Sequence, residues 1–254
     1  MISKSQISFV KSLHQKKIRK ENSLFLAEGI KSVTEFLNSE YIVETIFYTA
    51  NVSPKLLNLS HNVKLQEVSD HELSKISALN TPQQVIAVIK IPKSAPLSSN
   101  NASKTFSIVL DGIQDPGNLG TIIRTADWFG LKNIICSTDT VDVYNPKVVQ
   151  ATMGSLSRMT IHYTSLTEYL ENTSLPIYGA VLNGESIYNT QFTDAGIIVL
   201  GNEGNGISPG VLKTIKHFIT IPKFGNAESL NVATSAAIFC SELKRNSKYI
   251  LPEN

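Results

Sequence analysis

Lone charges set among glycine and asparagine recur in three short segments of this sequence. The first is Asp115-Pro116-Gly117-Asn118-Leu119-Gly120, running on to Arg124; the second is Gly201-Asn202-Glu203-Gly204-Asn205-Gly206; the third is Pro222-Lys223-Phe224-Gly225-Asn226-Ala227-Glu228-Ser229-Leu230-Asn231. Glycine lets a backbone approach a ligand closely or adopt positive φ. Asparagine and serine supply neutral donors and acceptors, and main-chain N–H and C=O groups can read the edge of an adenine. Any one segment reads as an ordinary turn. Three of them, each with a charge amid apolar neighbours, read as one ligand site if the fold brings them together.

The elements around them do predict that. Each segment directly follows an apolar strand, at 106–110, 197–200 and 217–221, with further strands at 133–137 and 178–182. Helices are expected at 119–129, with Asn118 as N-cap and Gly130 as the C′ residue, and at 145–156 and 231–244. Strands alternating with helices give a parallel sheet covered on both faces. Ligands in such sheets sit beyond the carboxyl ends of the strands, where all three segments lie.

Several chemistries are disfavoured. Gly201-x-x-Gly204-x-Gly206 is not the GxGxxG dinucleotide fingerprint, and neither a Gly-Lys-Ser/Thr phosphate loop nor a GxSxG elbow occurs. The two cysteines, Cys136 and Cys240, sit far apart in apolar runs, which suits buried free thiols in a reducing compartment and argues against zinc. The first residues lack the apolar core of a secretory signal, and no run approaches the ~18 apolar residues of a spanning helix. A cytoplasmic protein without membrane, metal or metal-dependent chemistry is expected. With 42% hydrophobic and 17% charged residues the chain can bury a core, and a net charge of +2 is only mildly suggestive of nucleic acid.

Residues 93–104, rich in serine and asparagine with one proline, predict a linker between a domain at 1–92 and another at 105–254. The first is expected to be a small α/β domain, with a helix at 30–37 and strands at 45–49 and 85–89. It carries the only strong basic cluster, Lys11, His14, Lys16, Lys17, Arg19 and Lys20, which fits either a solvated helix face or a surface for phosphates.

The three segments resemble the three motifs of the SpoU/TrmH family of RNA ribose methyltransferases, in the family's order and across residues 105–245. Lys147-Val-Val-Gln-Ala-Thr-Met-Gly-Ser-Leu156 is similar to a further family helix. Phe25-Leu-Ala-Glu-Gly29 and Thr81-Pro-Gln-Gln84 look, more loosely, like the substrate-binding domain that many members carry. The resemblance implies an α/β fold in which a parallel-sheet SPOUT methyltransferase domain with a deep trefoil knot follows a small α/β substrate-binding domain. It also implies a homodimer. S-adenosylmethionine is the implied cofactor, held at Gly201, Ile221 and Leu230, with Leu200, Asn202 and Gly206 beside them. The implied reaction is methylation of a ribose 2′-hydroxyl in structured RNA, with ribosomal RNA ahead of tRNA on the strength of the extra domain. Beside an expected substrate domain, Lys11, Lys16, Lys17, Arg19 and Lys20 become candidate phosphate contacts.

A ribose hydroxyl is a poor nucleophile and a sulfonium methyl is already activated, so the protein's share is alignment and deprotonation. The polar candidates are Arg124, Asn118, Glu203, Ser229 and Asn231. The family arginine matching Arg124 has been proposed as the base; because guanidinium holds its proton tightly, a phosphate clamp that steadies the developing alkoxide is the other role. A plain ion pair to Asp127 is the structural alternative. Glu203 fits either a direct role or the holding of Arg124 or the loop, and Asn231 doubles as a helix N-cap. Two other functions stay open: an RNA-binding protein of this fold without turnover, and methylation of a tRNA base.

Overall fold

Serine placed three residues ahead of a glutamine or glutamate opens two helices of the N-terminal part. In the computed structural model, which describes residues 2–52, 63–93 and 105–246, Ser3 and Gln6 form a capping box at the start of α1 (Lys4–Ser12). Ser69 and Glu72 form another at α4 (Asp70–Ile76). Between them lie α2 (Lys16–Asn22), β1 (Leu24–Glu28), α3 (Ile30–Leu37), β2 (Val43–Tyr48) and β3 (Lys64–Glu67), and β4 (Val85–Lys90) follows. The sheet order is β1-β4-β2-β3, with β4 antiparallel to both β1 and β2 and with β3 parallel to β2. Leu26, Phe47 and Ile86 of the sheet meet Leu13, Leu73 and Ile76 in its core.

Further along come β5 (Ser107–Leu110), α5 (Pro116–Trp128), β6 (Asn133–Ser137), α6 (Pro146–Thr152), a 3-10 turn (Ser155–Arg158), β7 (Thr160–Thr164) and α7 (Leu166–Glu171). They are followed by β8 (Ile177–Ser186), β9 (Ile197–Leu200), α8 (Pro209–Leu212), β10 (His217–Thr220) and α9 (Val232–Asn246). The six strands from β5 on form one sheet in the order β10-β8-β9-β5-β6-β7, and every pairing is parallel. β5 and β9 are buried along their whole length, as strands covered on both faces must be. The expected parallel α/β sheet is therefore present, with the three glycine-rich segments at the carboxyl ends of β5, β9 and β10.

The chain divides into two compact units, Met1–Ser94 with Asp142–Arg158, and Ala95–Val141 with Met159–Asn254. The segment with α6, expected inside the domain at 105–254, thus groups with the N-terminal unit. Tyr144 packs its ring 4.7 Å from that of Phe25, Arg158 pairs with Glu35, and α6 lies on β1. Of the expected linker, residues 94–104 fall outside the described residues.

Three expectations need correction. Asn118 does not cap α5: Asp115 does, its Oδ1 accepting from the Asn118 N–H at 2.8 Å with Pro116 in the first helical position. The helix expected over 145–156 stops at Thr152, because Met153 turns left-handed (φ 52°) and Gly154 follows at φ 94°. Arg19 offers no charge to a phosphate. It is 2% exposed, its guanidinium grips Asp142 Oδ2 at 2.6 and 3.2 Å, and it donates to the carbonyls of Leu13 and His14. At the far end of α5, Gly130 does take the left-handed C′ position (φ 67°). Its N–H goes to Asp127 and that of Leu131 to Ala126, as in a Schellman motif.

Candidate active site

The loop after β5 is held from below by short polar side chains. Ser137 Oγ accepts the Gly112 N–H at 2.8 Å and meets Thr140 Oγ1 at 2.9 Å. Two bonds then tie this loop to the one after β9: Asn202 Nδ2 donates to the Gly112 carbonyl at 2.7 Å, and the Ser208 N–H donates to the buried Asp111 carboxylate at 2.7 Å. Asn202 Oδ1 takes the N–H groups of Gly204 and Asn205, and Asn202 and Gly206 exchange main-chain hydrogen bonds at 2.9 Å. That closure leaves no room at Gly201, where a Cβ would stand 2.2 Å from the Gly206 carbonyl carbon and 2.4 Å from the Ile207 nitrogen. Only glycine admits so tight a loop here.

A directed chain of side chains links all three segments. Glu203 Oε1 accepts from Asn118 Nδ2 at 2.6 Å, and Asn118 Oδ1 accepts from Asn231 Nδ2 at 2.9 Å. Asn231 Oδ1 in turn accepts the N–H groups of Ala233 and Thr234, capping α9. A carboxylate can only accept and backbone N–H groups can only donate, so both amide orientations follow from the two ends of the chain.

Beside this chain opens a cleft of ≈ 1210 Å³, large enough for a nucleoside-sized ligand. Leu200, Gly201, Asn202, Gly206, Ile221 and Leu230, the expected cofactor positions, all line it, as do Glu203 and Ser229. The Ser229 hydroxyl has no partner among the described residues. Arg124 lies on the exposed side of α5; among the described residues its side chain forms no ion pair, with Asp127 or otherwise, and no hydrogen bond joins it to the chain above. In the other unit Lys11, Lys16, Lys17 and Lys20 are exposed, and Lys17 stands 3.9 Å from Glu21.

Sequence reasoning missed part of the wall. Residues 180–183 line the cleft because β8 and β10 break register, five β8 residues lying between the partners of Phe218 and Ile219. An apolar run followed by Asn183-Gly184 carries no sign of that step. Asp111, Ser137 and Thr140 were missed as well; a lone aspartate closing the apolar run Ile108-Val109-Leu110 is the signal that could have flagged the first. Cys136 and Cys240 are buried free thiols, as expected, and burial pushes both up, Cys240 to about 12.

Residues 105–241 match the SpoU rRNA Methylase family, and residues 4–87 match the MRM3-like substrate binding domain. The chain is 32% identical to the 23S rRNA (guanosine(2553)-2′-O)-methyltransferase RlmP of Bacillus subtilis, over 92% of this chain and 94% of that one. It is 26% identical to a 23S rRNA (uridine(2479)-2′-O)-methyltransferase of Streptomyces viridochromogenes, over 87% and 82%. Among solved structures, a TrmH-family protein from Porphyromonas gingivalis superposes with a TM-score of 0.86 at 39% identity, over 97% of this chain and all of that one. An AdoMet-bound rRNA methyltransferase from Sinorhizobium meliloti gives 0.86 at 27%, over 98% of each. The likenesses run along nearly the whole length, and the chain belongs to the SpoU rRNA methylase family.

Proposed function

We propose that this protein transfers a methyl group from S-adenosylmethionine to a ribose 2′-hydroxyl of structured RNA, ribosomal RNA ahead of tRNA. The observation that carries the reading is the chain Glu203–Asn118–Asn231, which joins all three loops at the edge of one cleft. The relatives named as 23S rRNA 2′-O-methyltransferases support the choice of RNA. A cofactor with an adenosine and a charged sulfonium suits the cleft, whose floor at Gly201 is bare backbone.

S-adenosylmethionine supplies an already activated methyl group. The chain's own residues supply the rest. The backbone at Gly201, Ile221 and Leu230 holds the adenosine, with Leu200, Asn202 and Gly206 shaping the loop. Arg124, whose guanidinium is not committed to a partner among the described residues, clamps a phosphate of the target nucleotide and steadies the alkoxide left as the hydroxyl proton passes to water at this exposed rim. Glu203 holds Asn118, and Asn118 with Asn231 fixes the distance between the first and third loops, which would set how closely a ribose could approach a bound methyl donor. Ser229 bonds cofactor or ribose. Lys11, Lys16, Lys17 and Lys20 contact RNA phosphates, without Arg19.

The same reading carries a trefoil knot, a homodimer and a cytoplasmic location. The chain leaves β10 at the edge of the sheet and returns to pack α9 on α5 and β9, a path that a knot requires. Trp128, 85% exposed on α5, favours a second subunit there. A ribosomal substrate favours the cytoplasm, and no helix among the described residues is long and apolar enough to cross a membrane.

Transfer of labelled methyl from S-adenosylmethionine to unmodified total RNA, followed by size separation and digestion to nucleosides, tests the reading. Label should appear in a 2′-O-methyl nucleoside of the ribosomal fraction and vanish with Arg124→Ala. Label in a base overturns the ribose assignment, and cofactor binding without any transfer overturns the reaction.

A further inference from the structure

Phe224, in the loop between β10 and α9, is 96% exposed, the barest large apolar side chain among the described residues. It stands on the cleft described above. Lys223 before it is exposed, and a Cβ on Gly225 after it would meet nothing within 4 Å. The ring therefore contributes next to nothing to packing within the chain, and it is free to meet a partner. Leu182, Leu230 and Phe218, at 68, 48 and 41% exposure, make the same rim apolar.

Charge narrows the partner. The carboxylates of Glu203 and Glu228 share the rim with one cation, Lys223. A phosphate is unwelcome between those carboxylates and welcome at Lys223. A neutral planar group flanked by a phosphate fits both conditions, and a nucleotide is such a group. Structured RNA is commonly read through bases splayed out of the stack onto aromatic side chains. A ribose that must leave a helix to reach a reaction centre beside a cleft brings its base out with it.

We infer that Phe224 is the stacking platform for a nucleobase splayed out at the methylation site, with Lys223 on the adjoining phosphate. This rests on the RNA methyltransferase reading above. Every base has a π-face, so the contact positions the RNA without selecting its sequence.

Steady-state methylation of an in vitro 23S ribosomal RNA transcript, beside S-adenosylmethionine binding by calorimetry without RNA, tests the inference. Phe224→Ala should raise KM for the transcript by roughly 5- to 100-fold, leaving kcat and cofactor affinity within about twofold. Phe224→Tyr and Phe224→Trp should restore KM and Phe224→Leu should not, because leucine keeps apolar area but lacks a π-face. Lys223→Ala should also weaken RNA binding, with an effect that shrinks as salt rises; that of Phe224→Ala should persist. Three outcomes overturn the inference while the wild type still methylates the transcript: an unchanged KM, rescue by leucine, or an equal loss of cofactor affinity, which would give the ring to the cofactor's adenine. A wild type that binds cofactor but methylates neither the transcript nor tRNA overturns the underlying reaction instead.

Discussion

Removing the Asn118 side chain takes away two hydrogen bonds at once, one to Glu203 and one from Asn231, and so breaks the side-chain link from the first loop to the third while Asn202 and Asp111 still join the first to the second. Both bonds are exposed, so their direct worth to stability is only about 1 kcal/mol. Their worth to catalysis is larger if they set the distance between ribose and methyl donor. Asn118→Ala should therefore lower kcat on the order of 10²-fold while the unfolding midpoint hardly moves. Asn118→Asp should be no better, because it replaces the donor facing Glu203 with a second carboxylate. Equal activity of variant and wild type would reduce the chain to loop architecture. The residues of this chain were legible in the sequence as polar side chains among glycines, but the assignment of Asn118 as a helix cap was not right. Asp115 lies three residues earlier with proline directly after it, and a proline at the first helical turn points to the residue before it as the cap. Arg19 carried no such local signal: it sits in a run of lysines, and its partner Asp142 is 123 residues away.

At the scale of elements, the strands that bury both faces also bury the thiols. Cys136 in β6 and Cys240 in α9 are enclosed, and burial raises both, Lys244 pulling slightly the other way on Cys240. Below about pH 8.5, the ordinary value of an unfolded cysteine, the thiols are neutral in both states and their contribution is complete. Between there and about 12 the unfolded chain ionises at Cys240 while the folded one does not, so stability must fall as pH rises. Urea unfolding at pH 8 and pH 10 should show that fall, and Cys240→Ala should make it shallower; an unchanged slope would mean that other groups dominate. In the native state neither thiol should react with a thiol reagent. Strand periodicity announced these elements well, since β5, β6, β9 and β10 fall within a residue or so of their expected bounds. It could not announce the end of α6, where a non-glycine residue, Met153, takes a left-handed conformation that leucine-like helix formers rarely adopt.

For the molecule as a whole, the informative departure is that residues 142–158 belong to the N-terminal unit. A parallel α/β domain read as continuous from β5 onward offers no reason to expect it, because the pattern of strand and helix is unbroken and only tertiary partners reveal the change. Those partners are specific. Asp142 neutralises the buried Arg19, Tyr144 packs its ring at a tilt against Phe25, and α6 lies on β1. A guanidinium at 2% exposure that loses its carboxylate keeps the full cost of desolvation, so Asp142→Ala should destabilise this unit by about 3–5 kcal/mol. Replacing both partners by apolar residues, Arg19→Met with Asp142→Leu, should recover most of that, since the penalty is for the unpaired charge and not for the missing bond. The same logic applies to a fragment of residues 1–93, which would leave Arg19 unpaired and one side of β1 bare. It should show poorly dispersed amide resonances, and grafting residues 142–158 onto it should restore dispersion. A fragment that folds to full stability without them would mean that the α6 segment decorates the unit and is not part of its core.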